Sequence, residues 1–295
     1  MFRYFGATVL TSMLKTRVIT AVTAVLILLA ALFYFPNWGW GIFTSLIVLA
    51  ACWEWSRLCA FSPRANVVFL ALSALLCAIV LFLYLDSSHP LWMQRTAQAL
   101  FIAAGAFWLV VVPLWLKMAW RPRLPALSGV AGWVVVFPAW AALLLLHDAS
   151  PLLLFSIMAI VWIADIGAYF AGKRFGKTKL APSVSPGKTW EGVVGGLIGV
   201  MGYFFLWFAV VYYIDGSWAR ELLRFGALMP LVFLVLGAVS VIGDLFESSM
   251  KRGAGMKDSS NLLPGHGGIL DRVDALTSAL PIAGLMIFVL PRFVG

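Results

Sequence analysis

Long apolar stretches separated by short polar ones run through the whole chain. Runs long enough to cross a hydrocarbon core of about 30 Å, which takes roughly 20 helical residues, lie near 18–35, 38–55, 66–85, 98–116, 127–146, 151–171, 191–214, 226–247 and 275–294. None shows the alternation over about ten residues that marks the strands of a membrane barrel. The pattern predicts an all-α integral membrane protein of about nine transmembrane helices. Very short polar breaks at Pro36-Asn37 and from His147 to Ser150 predict two helical hairpins, joining spans one and two and spans five and six. The run Val18 to Phe35 exceeds the apolar region of a signal peptide, about 7–15 residues. It therefore reads as the first span, with residues 1–12 an unstructured extension.

The basic residues orient these spans. With the N-terminus inside, 17 of the 21 Lys and Arg precede span one or fall in even-numbered loops. Basic residues are retained on the cytoplasmic side, so the N-terminus is expected in the cytoplasm and the C-terminus on the far side. Residues 1–150 hold spans one to five, which carry Trp and Phe near their ends, as interfacial anchors do, and little polar chemistry. Residues 151–295 hold spans six to nine, and their cytoplasmic loops gather acidic, basic, glycine and hydroxyl residues. The expectation is one membrane domain with its chemistry in the second half.

Composition agrees with a lipid-embedded chain. Hydrophobic residues make up 63% and charged residues 11%, against about 25% charged in soluble domains. A net charge of +9 would suggest nucleic acid in a soluble protein. Here the basic residues sit between apolar runs, which suits anionic headgroups and phosphorylated substrates, and nucleic acid is not expected as a partner. Cys52, Cys59 and Cys77 lack metal-binding spacing and read as buried packing residues.

Three polar clusters carry candidate chemistry. Asp165 falls inside span six, where a charge costs at least about 2.5–3.5 kcal/mol. It is either functional or a buried, hydrogen-bonded packing residue, while Ala164, Ala168 and Gly172 repeat every fourth position and favour close helix approach. The second cluster, Ser185-Pro186-Gly187-Lys188-Thr189, opens span seven. It is no P-loop, because proline occupies position 182 where that motif needs glycine, and no strand is expected before it. Ser185, Lys188 and Thr189 instead suit a phosphate at a helix N-terminus, although the topology rule alone would also place lysines there. The third cluster begins on span eight with Asp244, Ser248 and Lys251 on one helical face and continues through Arg252, Lys257, Asp258 and His266. It ends at Asp271, Arg272 and Asp274, where span nine begins. The aspartates read as oxygen ligands for Mg²⁺ or as helix-capping residues. His266, between glycines, reads as a proton carrier or a turn residue.

This third cluster resembles the signature of the phosphatidate cytidylyltransferase (CDP-diacylglycerol synthase) family. The matching residues are Ser248-x-Met250-Lys251-Arg252, Lys257-Asp258 and Pro264-x-His266-Gly267-Gly268-Ile269-x-Asp271-Arg272-Val273-Asp274, without departure across 27 positions. The segments around Asp165 and Ser185 to Thr189 are similar to the family's upstream regions, so the motif-bearing resemblance covers Trp162 to Asp274. The resemblance implies that a phosphate oxygen of phosphatidic acid attacks the α-phosphorus of CTP, giving CDP-diacylglycerol and pyrophosphate in phospholipid biosynthesis. It also implies Mg²⁺ dependence, with a second cation left open, and a homodimer in a bacterial inner membrane with its active site facing the cytoplasm. Asp244, Asp271 and Asp274 are then the expected metal ligands. Lys251, Arg252, Lys257 and Arg272 are the expected neutralisers of phosphate charge, with Asp258 and His266 in the same catalytic segment. Asp165, Ser185, Lys188, Thr189 and Ser248 are expected to bind or shape the substrate site.

Three rivals are weaker. A CTP-dependent polyprenol kinase lacks this full signature, and the Asp-Gly-x-x-Ala-Arg pattern of CDP-alcohol phosphotransferases is absent. A transporter would spread its acidic residues along a path, whereas 8 of the 12 here lie on or towards the cytoplasmic side of the expected topology.

Overall fold

The structure, a computed structural model, describes residues 2–86, 90–120, 122, 124–214 and 228–289. Nine helices form among them. They are α1 (Phe2–Tyr34), α2 (Asn37–Leu58), α3 (Pro63–Leu85), α4 (Pro90–Ala106, continued through a π turn at Phe107–Val111 into Val112–Lys117), α5 (Pro125–Ala149), α6 (Pro151–Phe175), α7 (Trp190–Ile214), α8 (Leu228–Gly253) and α9 (Leu270–Phe288). Residues 226–227 of expected span eight and 290–294 of span nine lie outside the described residues.

Among the described residues, six helices are long and apolar enough to cross a membrane: Pro63–Leu85, Arg95–Lys117, Pro125–Ala149, Pro151–Phe175, Trp190–Tyr213 and Leu228–Gly253. The other three helices fall on expected spans one, two and nine. The apolar part of α1, Val18–Tyr34, is shorter; α2 carries Glu54 and Arg57, and α9 opens with Asp271, Arg272 and Asp274. Two expectations need correction. The chain is helical from Phe2, so residues 2–12 are no unstructured extension, and the segment between α6 and α7 is not all coil. There β1 (Lys179–Ala181) pairs antiparallel with β2 (Ser185–Thr189), in a register that sets Lys179 opposite Thr189 and Ala181 opposite Ser185.

Local chemistry explains the helix ends and breaks. At the start of α3, Ser62 accepts the N–H of Ala65 at 3.3 Å and Pro63 occupies the first helical position. The π turn of α4 ends at Val111, two positions before Pro113, whose ring nitrogen has no proton for the ladder.

The chain packs as two compact units that interleave along the sequence. Unit 1 comprises Met1–Ala97, Arg121–Pro151 and Met250–Val273; unit 2 comprises Gln98–Trp120, Leu152–Ser249 and Asp274–Gly295. In unit 1 the core is built on α2, and buried indoles reach backbone or hydroxyl acceptors, as a tryptophan in an apolar interior requires. Trp55 donates to the Ser128 carbonyl at 2.8 Å, Trp40 to the Leu143 carbonyl at 3.2 Å and Trp140 to Thr44 Oγ1 at 2.9 Å. Gly132 lets the Trp55 ring lie against α5, since a Cβ there would stand 2.3 Å from the indole. These tryptophans are core residues and not interfacial anchors, because Trp40, Trp55 and Trp140 are fully buried. His147 belongs to α5 and not to a turn: it stacks on Trp40 at 4.7 Å and its Nε2 meets the Leu32 carbonyl at 3.0 Å.

In unit 2, α6 and α7 meet along small residues, as the Ala164, Ala168 and Gly172 repeat predicted. A Cβ on Gly195 would stand 2.1 Å from that of Ala171, one on Gly196 would stand 2.6 Å from the Ala164 carbonyl oxygen, and one on Gly192 would stand 2.9 Å from that of Ala168. Helices α8 and α9 are equally close at Gly243, where a Cβ would reach the Asp274 carbonyl oxygen at 2.7 Å. The three cysteines are buried free thiols, as expected.

Candidate functional site

The polar residues of unit 2 gather where the hairpin enters α7. The Thr189 hydroxyl accepts the Gly192 N–H at 3.1 Å and caps the helix, and the Glu191 carboxylate ties back the N–H groups of Lys177 and Thr178 at 3.1 Å. This fixes the end of β2, on which Lys188 is half-buried. Lys188 Nζ pairs with Asp244 Oδ2 at 2.5 Å, and Asp244 Oδ1 accepts from Ser248 one turn along α8 at 3.2 Å. Asp165 on α6 is exposed in the isolated chain and feels the charges of both Asp244 and Lys188.

Asp274 stands before the apolar part of α9, which begins at Ala275. Burial and the neighbouring Asp244 and Glu247 carboxylates push its carboxyl well above the usual range. Lys188, Asp244, Ser248, Asp165 and Asp274 thus come together in unit 2, joined by Glu247, which the sequence reading passed over. Ser185 lies at the start of β2, three residues before Lys188 and opposite Ala181. Thr189 acts as a helix cap.

The polar residues of unit 1 organise the segment between α8 and α9. Lys251 Nζ lies 2.6 Å from Asp271 Oδ1, with side chains only 9% and 4% exposed. Asp271 Oδ2 accepts the Ser259 N–H at 2.9 Å, the Ser259 hydroxyl at 3.0 Å and the Gly268 N–H at 2.8 Å. Burial alone would raise the Asp271 carboxyl, but Lys251 and the two N–H groups outweigh it and hold it below the usual range. The turn between these partners closes through the Leu263 N–H on the Gly267 carbonyl at 2.8 Å and the His266 N–H on the Leu263 carbonyl at 2.9 Å. Gly265 and Gly267 supply the positive φ values, 77° and 83°, that the turn requires.

Arg252, Lys257, Asp258 and Arg272 are exposed along this segment, with an Arg252 N–H donating to the Met256 carbonyl at 2.9 Å. His266 is half-buried, and its Nδ1 lies 2.9 Å from the hydroxyl of Thr20 on α1.

Sequence reasoning missed the residue that anchors the segment. Glu54 on α2 is fully buried, and its carboxylate accepts four hydrogen bonds, from the Ser259 and Ser260 hydroxyls and from the Ile269 and Leu270 N–H groups. A charged residue near the end of an apolar span was the available signal, the same one that singled out Asp165. Among the described residues, no three His, Cys, Asp or Glu side chains form a ready-made metal site.

Chemically, unit 2 concentrates carboxylates around one ion pair, and unit 1 presents basic residues along a tightly held turn. Comparisons with known proteins identify the family. The model of the cytidylyltransferase family matches residues 15–290. A phosphatidate cytidylyltransferase from Pseudomonas aeruginosa is 39% identical over 289 residues, covering 94% of this chain and 97% of that protein. One from Haemophilus influenzae is 36% identical over 292 residues, covering 94% and 99%. One from Brucella suis is 36% identical over 275 residues, covering 91% of each. With matches that run nearly end to end in both partners, this chain belongs to the cytidylyltransferase family.

Proposed function

We propose that this chain makes CDP-diacylglycerol and pyrophosphate from phosphatidic acid and CTP at the cytoplasmic face of a bacterial inner membrane. The observation that carries the reading is the near full-length likeness to phosphatidate cytidylyltransferases. The unbroken Ser248 to Asp274 signature supports it. In the reaction, a phosphate oxygen of phosphatidic acid forms a bond to the α-phosphorus of CTP. The bond from that phosphorus to the bridging oxygen of the β-phosphate breaks, and pyrophosphate leaves with the electron pair. Such a transfer needs mainly positioning and charge neutralisation. In unit 1, the exposed Lys257, Arg272 and Arg252 supply positive charge for phosphates. In unit 2, Lys188 does the same beside Asp244.

The unit 2 carboxylates suit Mg²⁺ by donor type, because oxygen ligands that repel one another gain from a hard cation. Asp244 and Asp274 would hold the ion, with Asp165 nearby. A cation at Asp271 would compete with the Lys251 ammonium for Oδ1. When bound, Mg²⁺ would neutralise phosphate charge. The cytoplasmic N-terminus and the homodimer belong to the same reading, supported by the Lys and Arg distribution and by the family resemblance respectively.

The test uses purified protein in detergent with phosphatidic acid, Mg²⁺ and labelled CTP. Label at the α-phosphate should enter the lipid, and label at the γ-phosphate should stay in water. Entry of γ-label into a lipid alcohol would instead establish a lipid kinase.

A further inference from the structure

We propose that Glu54 is a positioning residue for this reaction, acting from α2 through Ser259 on the carboxylate of Asp271. The inference rests on the cytidylyltransferase reading above. Glu54 lies outside the motif-bearing region of the chain, yet it joins the two ends of the signature turn. Its Oε1 accepts from the Ser260 hydroxyl at 2.6 Å and the Ile269 N–H at 2.9 Å. Its Oε2 accepts from the Ser259 hydroxyl at 3.0 Å and the Leu270 N–H at 2.7 Å. Residues 259–260 and 269–270 are thereby clamped on one side chain, and the donors at 269 and 270 are backbone N–H groups at the start of α9 that need an acceptor.

The link onward to Asp271 is direct. The Ser259 hydroxyl lies 3.0 Å from Glu54 Oε2 and 3.0 Å from Asp271 Oδ2. It has one proton and can serve one of these acceptors at a time. The Ser259 N–H goes to the same Asp271 oxygen at 2.9 Å. A shift of Glu54 therefore moves Ser259, and with it the carboxylate that holds Lys251. The packing leaves no slack: a Cβ on Gly268 would stand 2.0 Å from Ser259 Oγ and 2.5 Å from Glu54 Oε1.

Glutamine at position 54 isolates the effect. It keeps the size of the side chain, but whichever end carries the NH₂ must face a backbone N–H, that of Ile269 or of Leu270. The repulsion opens one end of the clamp. A purely structural role for Glu54 would lower the yield or stability of folded enzyme and leave the kinetic constants of the folded fraction unchanged.

The experiment compares full-length wild type, Glu54→Gln, Ser259→Ala and the double variant in detergent. It reads kcat and KM for α-labelled CTP, together with thermal midpoints. Misplacing a reacting group by an ångström costs about 100-fold, so Glu54→Gln should lower kcat by roughly 10- to 100-fold with KM for CTP little changed. Because both changes cut one link, the double variant should be no slower than Glu54→Gln alone. If Glu54→Gln does not fold, Ser259→Ala carries the test, with a lowered kcat at a wild-type midpoint as the expected result. Wild-type kcat in a folded Glu54→Gln, unchanged kcat in Ser259→Ala, or losses that multiply in the double variant would overturn the proposal. A wild-type enzyme that moves no label contradicts the reaction itself, whereas a fully active Glu54→Gln contradicts only the role of Glu54.

Discussion

In unit 1, Glu54 and Asp271 meet hydrogen-bond donors on both oxygens of each carboxylate, eight contacts within 3.0 Å in all. In unit 2, buried Asp274 lies within electrostatic reach of Asp244 and Glu247, Asp165 lies within reach of Asp244, and Lys188 is the ion-pair partner of Asp244. The same functional group therefore does two jobs. A carboxylate surrounded by N–H and O–H donors is fixed in place and holds a turn. A carboxylate facing other carboxylates keeps a negative field that a cation can relieve. Motif spacing alone does not separate these roles, since Asp271 and Asp274 stand three residues apart in the same signature.

Substitutions can break this contrast, and the largest effect is expected on the unit 2 side. Asp244→Asn removes charge from the cluster and unpairs Lys188. The rate of label transfer should fall about 10²- to 10³-fold, the loss typical of a group that stabilises transition-state charge. The protein should keep its wild-type thermal midpoint.

On the unit 1 side the effect on stability should dominate. Glu54→Ala deprives the Ile269 and Leu270 N–H groups of their acceptor, at about 1–3 kcal/mol for each buried group left unsatisfied. A clearly lowered unfolding midpoint in detergent is the expected result, and an unchanged midpoint would show that the clamp contributes little to the fold. The smallest change sharpens the comparison at the hairpin. Thr189→Ala removes the cap of α7 and should lower stability by about 1 kcal/mol, while CTP transfer stays close to wild type. A loss of transfer comparable to that of Asp244→Asn would instead place Thr189 among the substrate-binding residues.

Much of this architecture was legible in the chain. Nine apolar runs became nine helices among the described residues, because a backbone in lipid must satisfy its hydrogen bonds internally. The stripe at Ala164, Ala168 and Gly172 announced the close α6–α7 approach for the same reason that it permits it: small side chains let backbones meet. The hairpin was not legible, since Pro182 and Gly187 argue against strands and only the pairing of Lys179 with Thr189 across the turn makes them. The buried tryptophans misled because an indole near a helix end suits an interface and a core equally well until its N–H finds an acceptor, as Trp55 does on Ser128. Glu54 and Thr20 were missed because their partners lie more than 200 positions away, and no local pattern records such a contact.

The central claim is that unit 2 carboxylates take up charge while Glu54 holds geometry. The Mg²⁺ concentration giving half-maximal CTP transfer tests it most directly, measured for wild type, Asp244→Asn and Glu54→Gln. Asp244→Asn should raise that concentration by about tenfold or more, whereas Glu54→Gln should lower kcat and leave it in place. An equal shift in both variants, or none in Asp244→Asn, would contradict the division of roles.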